Sequence, residues 1–307
     1  VLTRIDVHDT LKKKIGADAF AFSDSENFSY IRTGADASLD WDFDTRIYAY
    51  TGAVFIAHDR DSEDVSPDSA DHDSAIEGRL GVERRFATRW KATAELGGRG
   101  WERADDRVLA RGVLEYAPDE NAVAALEVDH GDQLEHSYSL ESVQQGVGRT
   151  GGKLSYWRQL SSAWEGYGEM GGAWLSDSNG EIAMGGSVAW RPFPAVDVQI
   201  AMALDAMHYQ DLSPYYYSPD LDLGGTLSVM GRVPIHGALA FVFDAGGGAG
   251  FSQEQGASSF GPAYRAKVGL RWDRGGFSAA LDAARSQSVR ESSYTTHEAA
   301  LRLSWSF

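Results

Sequence analysis

Apolar and polar side chains alternate with a period of two through most of the chain. At the C-terminal end Ala299, Leu301, Leu303, Trp305 and Phe307 share one face, while Glu298, Ala300, Arg302, Ser304 and Ser306 share the other. That pattern belongs to a strand with one greasy and one wet side. It recurs upstream, where Tyr264, Ala266, Val268, Leu270 and Trp272 oppose Arg265, Lys267, Gly269, Arg271 and Asp273. Val196, Val198, Ile200, Met202 and Leu204 oppose Asp197, Gln199, Ala201, Ala203 and Asp205 in the same way. About sixteen such segments follow one another at roughly nineteen residues per strand and connection, in the even-numbered series of bacterial barrels. The predicted spans are 14–26, 28–38, 44–57, 73–86, 88–102, 105–116, 121–131, 149–159, 163–176, 180–191, 194–206, 221–232, 235–249, 261–273, 275–288 and 294–307. Most are long for a soluble strand and suited to a tilted membrane crossing.

The connections alternate too. Those after even-numbered strands are short, among them 39–43, Ala87, 117–120, 160–162, 192–193, 233–234 and Arg274, whereas the long ones, 58–72, 132–148, 207–220 and 250–260, follow odd-numbered strands. Short turns on one rim and long loops on the other are the outer-membrane rule, with the short side periplasmic. Trp41, Trp90, Trp164, Trp190, Trp272 and Trp305 sit toward strand ends, as interfacial girdles require. The expected fold is therefore all-β, a transmembrane antiparallel barrel of the bacterial outer membrane, with residues 1–13 as a periplasmic lead-in and 14–307 as the barrel.

Composition narrows the choice further. Among 307 residues there are 34 glycines but only 8 prolines, together with 13 Tyr, 13 Phe and 9 Trp, a mixture suited to long strands. Cysteine is absent, which excludes disulfides and thiolate metal sites. With 45 acidic against 28 basic side chains the net charge is −17, so nucleic acid is not an expected partner. No apolar run approaches the ~18 residues of a membrane helix, so any crossing is made by strands and the expected surroundings are outer-membrane lipid.

If the apolar set faces lipid, the other set lines a lumen. It carries Glu95, Glu115, Glu127, Asp129, Glu165, Glu169, Asp197, Asp205, Asp222, Asp244, Asp282 and Glu298 against Lys91, Arg111, Lys153, Arg265, Lys267, Arg271 and Arg302. A barrel of about sixteen strands is wide enough for an aqueous channel, and an acidic wall favours cations over anions. The alternative is that inward acids and bases pair with one another to stabilise the wall. Outside the strands, Asp59, Asp61, Glu63, Asp64, Asp68, Asp71 and Asp73 make an acidic loop. It lacks the glycine and terminal glutamate of a calcium-binding EF-hand, and no metal site is expected. Tyr215, Tyr216 and Tyr217 lie beside Asp211, Asp220 and Asp222. They suggest a surface that stacks on sugars and bonds their hydroxyl or ammonium groups, or else rings that pack the loop onto the rim. No nucleophile elbow, zinc-protease motif or phosphate loop occurs, so neither an enzyme nor a cofactor is expected.

Three local segments resemble the exopolysaccharide secretion porins, the family containing PelB, PgaA and, more distantly, the cellulose porin BcsC. Ser139–Val147 resembles the short helical or irregular stretch before that family's middle strands, Leu175–Gly180 its tight Ser-Asp-x-Asn turn, and Pro214–Pro219 its aromatic loop. The resemblance implies a periplasmic tetratricopeptide region ahead of the barrel and, for a Pel porin, a small periplasmic lipoprotein ring beneath it. Within that family an acidic wall opposes alginate and matches a cationic, partly deacetylated amino-sugar polysaccharide. The expected function is export of such a Pel-like polymer for a biofilm matrix, with the alternatives of a poly-N-acetylglucosamine or cellulose porin, a cation-selective diffusion porin, or a rim protease or lipase.

Overall fold

The computed structural model describes residues 12–59, 71–193, 197–290 and 293–307. They form sixteen strands: β1 (Lys13–Asp24), β2 (Phe28–Asp40), β3 (Thr45–His58), β4 (His72–Arg85), β5 (Trp90–Trp101), β6 (Arg107–Asp119), β7 (Ala122–Asp132), β8 (Gly148–Gln159), β9 (Trp164–Leu175), β10 (Gly180–Trp190), β11 (Val198–Tyr209), β12 (Leu221–His236), β13 (Leu239–Glu254), β14 (Ala257–Arg274), β15 (Phe277–Val289) and β16 (Ser293–Ser306). Two short helical turns, α1 (Leu134–Ser137) and α2 (Leu140–Gln144), lie between β7 and β8. Every strand pairs antiparallel with its sequence neighbours, and β1 pairs with β16 from Lys14↔Ser306 to Asp24↔Thr296, which closes the barrel. Of the expected lead-in, residues 1–11 lie outside the described residues, as do 194–196 at the expected start of the eleventh strand.

Cross-strand partners share a face, so one register fixes the sidedness of the whole wall. Ile15, Ala17 and Ala19 stand opposite Trp305, Leu303 and Leu301 on the outside, and Asp18 stands opposite Arg302 on the inside. Outward side chains remain bare on the isolated chain: Trp174 is 78% exposed, Phe260 78% and Ile76 73%. Such a surface is stable only in lipid. On β9 the outward Trp164 and Trp174 are ten residues apart, which at a ~3.3 Å rise and a strand tilt of about 40° gives an apolar belt about 25 Å tall.

Four predicted connections differ in the structure: β6 runs through the expected turn 117–120 to Asp119, the turn expected at Arg274 lies at Gly275 and Gly276, and two others shift further. The expected long loop 250–260 is a hairpin continuing β13 into β14 through a turn at Gln255 (φ 51°) and Gly256 (φ 79°). The turn expected at 233–234 lies at Gly237 (φ 54°) and Ala238, after a bulge between Pro234 and His236. Pro234 has no N–H to give the ladder, so the chain bulges there instead of turning. Neither of these last two shifts changes which side chains face inward.

Glycine has a specific role where β12 and β13 come closest. A Cβ on Gly248 would stand 1.8 Å from the Gly225 carbonyl oxygen, whereas one on Gly247 would have nothing nearer than 4.0 Å. We predict that Gly248→Ala pries the two strands apart and destabilises the barrel by about 1–3 kcal/mol, as any overpacked backbone contact does. Gly247→Ala should change stability by less than ~0.5 kcal/mol. Urea unfolding from lipid vesicles checks both, and equal midpoints for the two variants would contradict the close approach.

Candidate conduit and its lid

The inward residues enclose a cavity of about 1220 Å³ running from Lys14 and Ser38, at the short-turn end, to His136 in the β7–β8 connection. Its two sides differ. From β4 to β9 the wall is a mesh of ion pairs. Glu127 accepts from Arg111 at 2.6 Å, Asp129 from Arg149 at 2.7 Å, and Glu165 from Arg191 at 3.3 Å. Glu169 accepts from the Tyr167 hydroxyl at 2.5 Å and lies 3.7 Å from Lys153. Farther round, Asp244 pairs with Arg265 at 2.5 Å, and Asp282 with Arg271 at 2.7 Å and Lys267 at 3.8 Å. These six expected lumen carboxylates are thus locally neutralised. The pairing arises because inward acids and bases were brought side by side by the register, as in Glu127↔Lys153 and Arg111↔Asp129.

From β10 to β13 the inner surface is nearly bare of side chains. Gly224 faces Gly250, Thr226 faces Gly248, and Ser228 faces Gly246, with Gly185, Ser187, Ala201 and Ala203 beside them. Two carboxylates without a bonded cation stand out of this wall, whereas its Glu181 and Asp244 pair with Arg149 and Arg265. Asp205 has no hydrogen-bond or ion-pair partner among the described residues, and Asp222 accepts from Tyr217 at 2.8 Å with no cation bonded to it. Asp205 sits opposite Gly185 on one side and Gly224 on the other, so neither neighbour shields it from the lumen. Asp197 and Glu298 are also exposed and without a bonded cation among the described residues, Asp197 at the short-turn end and Glu298 on β16.

The long-loop end of the cavity is roofed by the β7–β8 connection, which turns into the barrel instead of outward. Leu134 and Leu140 are fully buried and Val143 is 3% exposed, packed on Phe22, Phe28, Tyr30, Val54, Ile56 and Trp101 at the upper ends of β1, β2, β3 and β5. Tyr138 stacks on Phe22 with ring centroids 4.2 Å apart. Beneath this lid, Arg99 holds both Asp132 oxygens at 2.8 and 2.7 Å and Glu77 at 2.7 Å, with all three groups buried. Asp132 is the last residue of β7, so the charge cluster fixes the point at which the chain turns inward. Removing Arg99 would leave the buried Asp132 without its cation, which costs about 3–5 kcal/mol.

The β11–β12 connection supports the lid from the side. The Ser139 hydroxyl donates to the Tyr215 carbonyl, and Gln133 Nε2 donates to the Tyr209 hydroxyl at 3.5 Å. Tyr216 packs with Tyr209, Leu175 and Val147, and its hydroxyl donates to Asp177 at 2.9 Å while accepting from Asn179 at 3.1 Å. Tyr217 lies against Arg290, whose guanidinium is 4.3 Å from the ring centroid. Of the two sequence readings, the structure therefore places these tyrosines in loop packing. Asp211 and Asp220 enter through their backbones, with their carbonyls accepting from Asn179 and His208. The acidic loop expected at 58–73 lies outside the described residues between 60 and 70. Its last member, Asp73, is fully buried on β4 and accepts from the Ser74, Arg103 and Ala104 N–H groups. Sequence reasoning placed a short helical or irregular stretch at Ser139–Val147, where α2 lies, but not its turn into the barrel, and it did not single out the Glu77–Arg99–Asp132 cluster. The parity of Ala75, Glu77 and Arg79 would have placed Glu77 inward, but nothing local marks Asp132 as its neighbour.

No protein-family model and no curated protein sequence matches the chain. Solved structures do resemble it in fold. A bacterial polysaccharide outer membrane secretin superimposes with a TM-score of 0.74 at 13% identity, covering 98% of this chain and 100% of that one. CdiB from Acinetobacter baumannii gives 0.57 at 7% identity, covering 96% of this chain and 60% of that one. The outer membrane protein opdK from Pseudomonas aeruginosa gives 0.51 at 10% identity, covering 97% and 100%. Likeness at these identities speaks to architecture: a closed sixteen-strand barrel of the bacterial outer membrane.

Two outcomes are expected of the lid. Leu140→Ala removes a fully buried anchor worth about 2–5 kcal/mol, and should raise the open probability in planar-bilayer recordings while leaving the barrel's heat-modifiable gel shift intact; unchanged gating would mean the lid is not held by this contact. Burial, followed by the Asp177 hydrogen bond, pushes the Tyr216 pKa up to about 12 from an ordinary value of 10.0. The folded state thus favours the neutral phenol. That stabilisation is complete below about pH 10 and disappears as pH rises toward 12. Tyrosinate absorbance should show a late-titrating group that is missing in Tyr216→Phe.

Proposed function

We propose that this barrel guides a cationic, partly deacetylated amino-sugar polymer outward across the outer membrane. The observation that carries the proposal is the asymmetry of charge in the lumen. Acids on the ion-paired side are compensated, whereas Asp205 and Asp222 stand without bonded cations on a wall of glycine, serine, threonine and alanine. A sugar chain sliding along this wall meets little side-chain obstruction, and its ammonium groups meet carboxylates with hydration and coordination to spare. Weak, repeated contacts of this kind favour entry without trapping. The likeness to a polysaccharide secretin supports a sugar polymer as cargo. A periplasmic tetratricopeptide region and a lipoprotein ring are the partners such a porin would use to deliver the chain.

A second reading, a diffusion porin for small cations, draws on the likeness to opdK. The two readings part at the polymer. With the barrel in a planar bilayer, glucosamine oligomers added from the short-turn side should interrupt the current, and fully N-acetylated oligomers should do so far less. Asp205→Asn combined with Asp222→Asn should shorten the interruptions about tenfold, as expected for two weak charge contacts of a few tenths to one kcal/mol each. The double variant should also move the reversal potential in a salt gradient toward zero. Equal blockade by charged and acetylated oligomers, or interruptions insensitive to both carboxylates, would falsify the amino-sugar reading.

A further inference from the structure

The outward face away from the strand ends carries apolar and a few uncharged polar side chains, with one fixed charge among the described residues. Arg285, on β15, is the one Arg, Lys, Asp or Glu among the described outward strand positions away from the strand ends, since the outward Arg84 and Arg158 lie next to the short-turn ends of β4 and β8. It is exposed, it stands directly opposite the exposed His297 on β16, and neither has a hydrogen-bond or ion-pair partner among the described residues. The register continues the row to Ala266 on β14 and Ser23 on β1, so no carboxylate stands next to either group.

Depth gives this pair its meaning. His297 is eight residues above Trp305 along β16, or about 20 Å up a belt about 25 Å tall. That is the level at which the outer leaflet's acyl chains give way to headgroups. An arginine without a counter-ion is unfavourable in hydrocarbon, and it is accommodated where its long stem can carry the charge to an anionic headgroup. The surface around the pair is shallow. Ala266 stands beside Arg285, and Ala283, Ala299 and Ala21 make up the next outward row below, where other parts of the belt carry Leu, Met or Ile. Alanines leave room for acyl chains to lie against the wall beneath a held phosphate.

We propose that Arg285 and His297 form a binding site for the phosphate of an outer-leaflet lipid, with its acyl chains on the alanine-paved face. The site is on the opposite side of the wall from the conduit and does not depend on what the lumen carries. The test is native mass spectrometry of the detergent-solubilised barrel with bisphosphorylated lipid A, and with the same lipid freed of phosphate. Wild-type protein should retain the phosphorylated lipid preferentially. Arg285→Gln with His297→Gln should weaken that retention about tenfold, the loss expected for one cationic contact near a membrane surface and one hydrogen bond to a phosphate oxygen, and Arg285→Lys should largely restore it. The heat-modifiable gel shift verifies that each variant is folded. Inorganic phosphate should fail to displace the lipid; displacement would identify a plain anion site and overturn the lipid assignment. Indifference to the phosphate group, or equal retention by wild type and double variant, would overturn the proposal outright. So would a barrel dimer that the double variant disperses, since the face would then belong to a second copy.

Discussion

A chain surrounded by hydrocarbon has no water to satisfy its backbone N–H and C=O groups, and each one left open costs several kcal/mol. Here the demand is met by pairing every strand with two neighbours and joining β1 to β16 along eleven residue pairs. From that closure the rest follows. A closed sheet has only an inside and an outside, and a period-two sequence gives each side chain one of them. The ionic side chains are thereby gathered into an enclosed lumen, and the large apolar ones into an unbroken belt.

Gathering charges into a confined space does not by itself make the space electronegative. On the side built from β4 to β9, acids and bases interleave closely enough to neutralise one another, and these half-exposed pairs add little stability individually. What they do is stiffen long side chains against the wall. Carboxylates without a bonded cation lie elsewhere, among them Asp205 and Asp222, where neighbouring strands contribute glycine rather than arginine or lysine. A solute in the lumen responds to that local distribution and not to the formal charge of the protein.

The lid is the lumen's other feature, and it depends on a different force. Its grip comes from burial of Leu134, Leu140 and Val143 against aromatic residues at the upper ends of β1 to β5. The buried Glu77–Arg99–Asp132 cluster sets its direction of entry. Apolar packing anchors the segment, and charge pairing chooses where the chain turns.

The alternation along the chain by itself determined the architecture: the strand number, the strand order, the two faces and the positions of girdle residues such as Trp164 and Trp305. These are local consequences of a period of two, so they can be read segment by segment. Turn positions followed less well, because Pro234 was compatible with a turn or a bulge, and only pairing with β13 selected the bulge. The lid and the charge balance were decided by tertiary structure alone. Leu134 and Leu140 have no periodic partners in the sequence, and they reveal an inward fold only once Phe22, Ile56 and Trp101 are assembled around them. Which carboxylates are neutralised depends on the lateral register of neighbouring strands, which the period of two does not fix, since Asp129 meets Arg149 and Asp205 meets glycine only once β7–β8 and β10–β12 have paired.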